Sequence, residues 1–413
     1  MSSNKYLNIF FTFIVGLFLL TSAFRPSVQI VSIILALFLL YYYFYFKATK
    51  KGNIFSLNKN EKLLSISLVL MFASILPPLL TNNSLSVGFR ELDIPSKYLL
   101  FALIALLLFK LKPRISSDIL MYLIGISGFI FGLIAIFHIF IFPQMLYHGR
   151  FTGYSGINEL GFMCGVISVI NISLALYRKN KLFFLSAGLL SFIGVVGTGL
   201  RGSVLAVFCS LFVIFLVYCF YNRSLLVFAM KTLIFIAISF FVISYVVYDS
   251  LPTDRISYTK DELDSISKGD YNTSIGLRLV MYKEALAIFS LSPIIGMSAK
   301  SQHDNAEKIA NISGFDHIIE AAKSGPVFGK KHNDMLNILA TRGLIGFASL
   351  VLFYFAMTKM ILLSNNSSIR IVGGGGILYC LFAGLSGDPL SGHTESTFLL
   401  LLLLFIFNTE SYD

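Results

Sequence analysis

Three basic side chains stand out by type and by neighbourhood. Arg201 lies in "GTGLRGS", Arg278 in "SIGLRLVMY" and His332 in "KKHNDML". An arginine presents a planar fork of donors that matches phosphate oxygens. A histidine can take a proton from an attacking hydroxyl near neutral pH. A departing diphosphate needs its developing charge stabilised, which arginine or a metal can do. Together, the three residues suit an anionic, lipid-linked substrate.

Taken singly, each has a plainer use. Arg201 could be a snorkelling anchor at a membrane border, although Gly199 and Gly202 beside it would let a ligand approach the backbone. Arg278 could sit on a solvated helix face, and His332 could open a helix. A further polar group, Asp388, His393 and Glu395 in "SGDPLSGHTES", lacks a zinc spacing such as HExxH. It reads as a polar loop or as the lining of an acceptor groove. No metal site and no cofactor is assigned.

The elements that must carry these residues are built for lipid. Of 413 residues 56% are hydrophobic, with 41 Phe and 20 Tyr, and only 13% are charged, about half the share of a soluble domain. Apolar runs near spanning length recur along the chain, and a span needs roughly 20 such residues. Twelve segments are expected, near 7–24, 27–46, 63–80, 96–110, 117–142, 157–177, 182–200, 202–221, 228–248, 343–363, 370–387 and 396–408. The runs are continuously apolar rather than alternating, which selects helices over a barrel. The fold class is all-α, a polytopic membrane protein with about 12 transmembrane helices and one large outer loop. Three regions follow: a transmembrane bundle of about nine helices over 1–248, a loop with short helices over 249–342, and about three further spans over 343–413. The first segment, with Lys5 and "TSA", has signal-peptide features but no clear cleavage site, and reads as a retained span.

Lysine and arginine orient the bundle. One set of short loops holds Lys47, Lys50, Lys51, Lys59 and Lys62, then Lys110, Lys112 and Arg114, then Arg178, Lys179 and Lys181, then Arg223 and Lys231, then Lys359 and Arg370. The opposite set holds only Arg25, Arg90, Lys97, Arg150 and Arg201. Both termini are therefore expected in the cytoplasm and the long loop in the periplasm. That loop is nearly neutral, with 11 Lys and Arg against 12 Asp and Glu, so the net charge of +11 sets topology and is no sign of nucleic-acid binding. The partners expected are membrane lipids and lipid-linked substrates, with no nucleic acid.

Within the loop, "SIGLRLVMYKEALAIF" reads as an amphipathic helix with Ser274 as its N-cap. "LSPIIGMSAK" breaks it at Pro293 and Gly296, residues 301–323 form one or two short helices broken at Gly314, and "SGPVFGK" is a turn. "GGGG" at 373–376 has no P-loop around it and reads as close helix packing. Cys164, Cys209, Cys219 and Cys380 all fall in apolar spans and read as core filler.

Three patches carry a family likeness: "GTGLRGSVLAV", "SIGLRLVMYKEALAIFSLSPIIG" and "HNDMLNILATRGLIGFASL". In their order and spacing the chain resembles the bacterial O-antigen ligase family, within the wider ligase and polymerase superfamily. The resemblance implies a GT-C-like membrane glycosyltransferase of the bacterial inner membrane, active on the periplasmic side. Its donor would be an undecaprenyl-diphosphate-linked glycan and its acceptor the lipid A-core oligosaccharide. By resemblance the reaction inverts the anomeric centre without a metal. Arg201 and Arg278 match the family arginines that engage the donor diphosphate, and His332 matches its proposed base. Two alternatives stay open: a polymerase that extends lipid-linked repeats, and a transporter without chemistry. Neither Arg255 nor Arg278 has the glycine spacing described for polymerases, and few charges fall within the spans.

Overall fold

The structure, a computed structural model, describes residues 2–49, 54–81, 91–146, 150–221, 238, 242, 255–315 and 331–410. Its helices are α1 (Ser2–Thr21), α2 (Arg25–Thr49), α3 (Lys59–Ala73), α4 (Leu76–Leu80), α5 (Asp93–Leu111), α6 (Ser117–Ile136), α7 (Ile157–Tyr177), α8 (Lys181–Gly197), α9 (Arg201–Tyr221), α10 (Arg255–Ser267), α11 (Ser274–Leu291), α12 (Ala299–Asp304), α13 (Ala306–Ser313), α14 (Asp334–Leu362), α15 (Ser367–Ala383) and α16 (His393–Phe407). Strands among the described residues are limited to two-residue pieces, Ile115–Ser116 paired in parallel with Thr409–Glu410.

Among the described residues seven helices are long and apolar enough to cross a membrane: Pro26–Thr49, Lys59–Leu80, Asp93–Leu111, Ser117–Ile141, Ile157–Tyr177, Arg201–Tyr218 and Asp334–Leu362. Shorter apolar helices at Lys5–Thr21, Lys181–Gly197, Ile369–Ala383 and His393–Phe407 correspond to four more of the expected segments. The segment near 228–248 lies outside the described residues except at 238 and 242. The chain is an all-α polytopic membrane protein.

Among the described helices, α7 and α16 lie inside the bundle. From Leu160 to Leu176, α7 is buried on every face. Its polar side chains find partners there: the Ser168 hydroxyl donates to the Gly188 carbonyl at 2.9 Å, and the Asn171 amide to Ile124 at 3.2 Å. The string "FLLLLLLFIF" of α16 looks the most lipid-like in the sequence, yet it too is almost wholly buried in protein. A helix apolar on all sides belongs inside such a bundle. The four consecutive glycines of α15 differ from one another. A side chain at Gly373 would meet Ile361 at 2.8 Å, whereas one at Gly374 would meet nothing within 4 Å. Cys164, Cys209 and Cys380 are free thiols; the side chain of Cys219 lies outside the described residues.

The long connection folds into a helical cap. Its small core joins Val280, Ala285 and Ile288 of α11, Met297, Ile309 and Ala310, and Ala340 of α14. The polar stretch after residue 254 forms the helix α10, and α11 begins one residue away from the expected cap: the Thr273 hydroxyl, not Ser274, accepts from the Gly276 N–H at 3.0 Å. The helices α12 and α13 follow, and Gly314 ends α13 in a left-handed conformation. The expected turn over 324–330 lies outside the described residues.

The cap is keyed into a break in α14. Gly343 has φ 59° and ψ −155°, outside the helical region. Leu344 N–H donates to the Pro293 carbonyl at 2.8 Å and Ile345 N–H to Ile294 at 3.2 Å, while the freed Ala340 carbonyl accepts from Met297 N–H at 2.9 Å. A broken membrane helix must satisfy its backbone this way, because lipid offers no partners. The two backbones meet too closely for side chains: a Cβ on Gly343 would lie 2.4 Å from the Ile294 oxygen, and one on Gly296 2.3 Å from the Arg342 nitrogen. Gly343→Ala is therefore expected to destabilise the protein by more than ~2 kcal/mol, since positive-φ strain alone costs ~1–3 kcal/mol. Gly374→Ala, in open space inside a helix, should be neutral or stabilising by up to ~1 kcal/mol. Thermal unfolding in detergent checks both, and equal midpoints for the two variants would contradict the keyed break.

Candidate active site

A cleft lies where the loop-side ends of several helices meet. Its walls are Asn158 and Phe162 of α7, Leu200, Gly202 and Ser203 at the start of α9, Arg278 of α11, His332, and Ala383, Ser386, Gly387, Asp388, Pro389 and Glu395 around the α15–α16 connection. Residues of the first turns of α7 and α9, Asn158, Gly202 and Ser203, line it, and helix N-termini favour negative charge.

His332 does not open α14. The cap is Asn333, whose side chain accepts from Leu336 N–H at 3.0 Å, and His332 precedes it with φ 49°. A left-handed histidine costs energy and persists only where its surroundings hold it. Here they do. The Asn333 amide donates to the Leu385 carbonyl at 3.0 Å, and Asp334 N–H to Gly384 at 2.8 Å. Buried Asp334 in turn accepts from Leu390 N–H at 3.1 Å and from the Ser391 hydroxyl at 3.4 Å. Tyr98 donates to the Leu390 carbonyl at 2.7 Å, and the Lys97 ammonium to that of Gly392. The "HND" stretch and the "SGDPLSG" connection are thus bolted together. The bolt sets Asp388, itself nearly buried, with Oδ1 3.4 Å from His332 Nδ1.

Arg278 is half-buried on the cleft wall, and among the described residues no carboxylate is paired with it. Tyr282 sits one turn further along α11. Burial raises the pKa of its hydroxyl, with the Arg278 charge opposing. Its oxygen is 3.3 Å from the His332 carbonyl and 3.2 Å from that of Leu385.

The structure thus brings Arg278 and His332 into one cleft. Arg201 adjoins it through its neighbours Leu200 and Gly202, but its guanidinium is held by Glu262 of α10, Nη1 to Oε2 at 3.0 Å and Nη2 to Oε1 at 3.4 Å. Asp388 and Glu395 line the cleft; His393 instead has Nε2 3.3 Å from Asp93 Oδ2. Among the described residues no cluster of three or more His, Cys, Asp or Glu could hold a metal ion.

Fold and cleft define the class: an all-α polytopic membrane protein with a polar site beneath its helical cap. Residues 186–351 match the family model described as O-antigen ligase. The matched stretch contains Arg201, Arg278 and His332. An uncharacterised protein of Haemophilus influenzae is 27% identical over 373 residues, which cover 86% of this chain and 87% of the relative.

Proposed function

We propose that the chain is an O-antigen ligase that moves a glycan from undecaprenyl diphosphate to the lipid A-core oligosaccharide, on the periplasmic face of the inner membrane. The observation that carries this reading is the shared cleft of Arg278 and His332 at two helix N-termini. Arg278, with no described carboxylate on it, takes the donor diphosphate. Arg201 joins by exchanging the Glu262 carboxylate for phosphate oxygens, since both are bidentate acceptors for a guanidinium. Asp388 faces His332 Nδ1 and holds the tautomer that leaves Nε2 free to accept a proton. The core-sugar hydroxyl then loses its proton to Nε2 as its oxygen attacks the anomeric carbon. The glycosyl–phosphate bond breaks, and undecaprenyl diphosphate leaves on the arginine side with the bonding electron pair. Attack opposite the leaving group inverts the centre.

The lipopolysaccharide profile of a deletion strain tests the reading. The expected result is core without attached chains and accumulation of lipid-linked polymer. Core bearing a single repeat unit would instead establish a polymerase, and lipid-linked glycan trapped on the cytoplasmic face would establish a transporter.

A further inference from the structure

The residue before His332 is a buried lysine. Lys331 Nζ lies 2.9 Å from Glu284 Oε2, and both side chains are nearly inaccessible, at 2% and 8% exposure. Removing two charges from water is costly, and such a pair is often no more stable than an apolar pair of the same size. Burial indeed pulls the lysine pKa down, with Glu284 opposing. Stability alone is therefore a weak reason for this pair. Its position suggests another. Glu284 is on α11, the helix that carries Arg278, and Lys331 adjoins the left-handed His332. Tyr282, also on α11, reaches the His332 carbonyl itself. Two groups of one helix, Glu284 and Tyr282, thus face the strained residue and its neighbour.

We propose that the buried Lys331–Glu284 pair, together with the Tyr282 hydroxyl, is the positioning device of the transfer site, fixing the His332 imidazole relative to the Arg278 guanidinium. The proposal rests on the assignment of His332 as base and Arg278 as diphosphate ligand. An ion pair suits the task because it is directional. An apolar contact could slide by an ångström at little cost, whereas a charged pair in a dry setting has one favoured geometry. None of the three groups reacts. They act through His332, so their loss should lower turnover and leave donor binding, which Arg278 provides, in place.

The test uses the full-length protein in lipid nanodiscs with a polyprenyl-diphosphate-linked glycan and a core-oligosaccharide acceptor. The double variant Lys331→Met with Glu284→Leu removes both charges and keeps volume, so it leaves no buried unpaired charge. Its kcat should fall on the order of 10- to 100-fold, the scale of a misplacement near 1 Å, with the donor KM within about twofold of wild type. Tyr282→Phe, which removes only a hydroxyl, should show the same signature more weakly, by about threefold to tenfold in kcat. The exchanged pair Lys331→Glu with Glu284→Lys should recover part of the lost turnover. Wild-type kcat in both the apolar double variant and Tyr282→Phe overturns the proposal. So does a rise in donor KM with kcat unchanged, which would mean that the pair serves binding. If the apolar variant fails to fold, Tyr282→Phe and the exchanged pair decide. His332→Ala run alongside separates the two levels: if it stays active, the base assignment has failed; if it is inactive while the positioning variants are normal, only this inference has failed.

Discussion

Arg278→Ala is expected to lower the rate of glycan transfer by ~100- to 1,000-fold, the range for losing one preorganised donor to a developing charge. The loss should appear in kcat/KM for the donor, because the diphosphate is bound in the ground state and gains charge on the bridging oxygen as the bond breaks. Arg278→Lys keeps the charge but not the fork, so it should fall between wild type and alanine. The comparison with Arg201 is instructive. Arg201→Ala also unties Glu262, and with it the contact between α9 and α10, so part of its effect will register as altered stability. Among the described residues Arg278 has no such structural pair, so Arg278→Ala should keep the wild-type unfolding midpoint. Wild-type transfer by a well-expressed Arg278→Ala protein would remove the diphosphate role.

The helical, membrane-spanning character of the chain was plain from composition and run length. The reason is physical: a span must be long, apolar and helical, and few other structures share that pattern. The break before the final spans was half visible. "LSPIIG" announced that α11 ends, and "RGLIG" stood out as a motif, but nothing in either string says that the two dock. That requires knowing that Pro293 and Ile294 offer carbonyls where Gly343 leaves N–H groups open. Positive φ at Gly343 is a property of the assembled pair of backbones.

The candidate residues were visible by type, while their arrangement was not. Arg278 and His332 share a cleft although 54 positions separate them. The partner of Arg201 could not be guessed, because Glu262 lies in a polar stretch with Asp261 and Asp264 beside it. Asp334 follows His332 and Asn333 directly in the sequence. An aspartate opening an apolar helix was a signal, since a buried carboxylate must be hydrogen-bonded. Its partners, Leu390 and Ser391, come from the connection that also supplies Asp388. In the sequence Lys331 is one of two adjacent lysines, and nothing in "KKHNDML" marks it for burial. Only the fold shows it buried against Glu284.

His332→Asn is expected to reduce transfer by ~100- to 10,000-fold, the contribution of a positioned general base. Asparagine is the informative replacement because of the backbone. Residue 332 is held at φ 49°, and asparagine is among the few side chains that tolerate the left-handed region well. The variant should therefore fold at least as well as wild type, and a lost rate cannot be assigned to a disturbed loop. Helix capping is also untouched, since Asn333 performs it. What disappears is the ring nitrogen to which we assign acceptance of the acceptor hydroxyl's proton. Donor binding should persist, because Arg278 is unchanged, so the variant should retain bound lipid-linked donor without turning it over. Asp388→Asn should show a smaller loss in the same direction, as it leaves the imidazole in place but removes the carboxylate that faces Nδ1. If His332→Asn attaches glycan at the wild-type rate, no proton passes through this residue. The acceptor hydroxyl would then have to lose its proton elsewhere, and the remaining carboxylates on the cleft wall, Asp388 and Glu395, would be the groups to test.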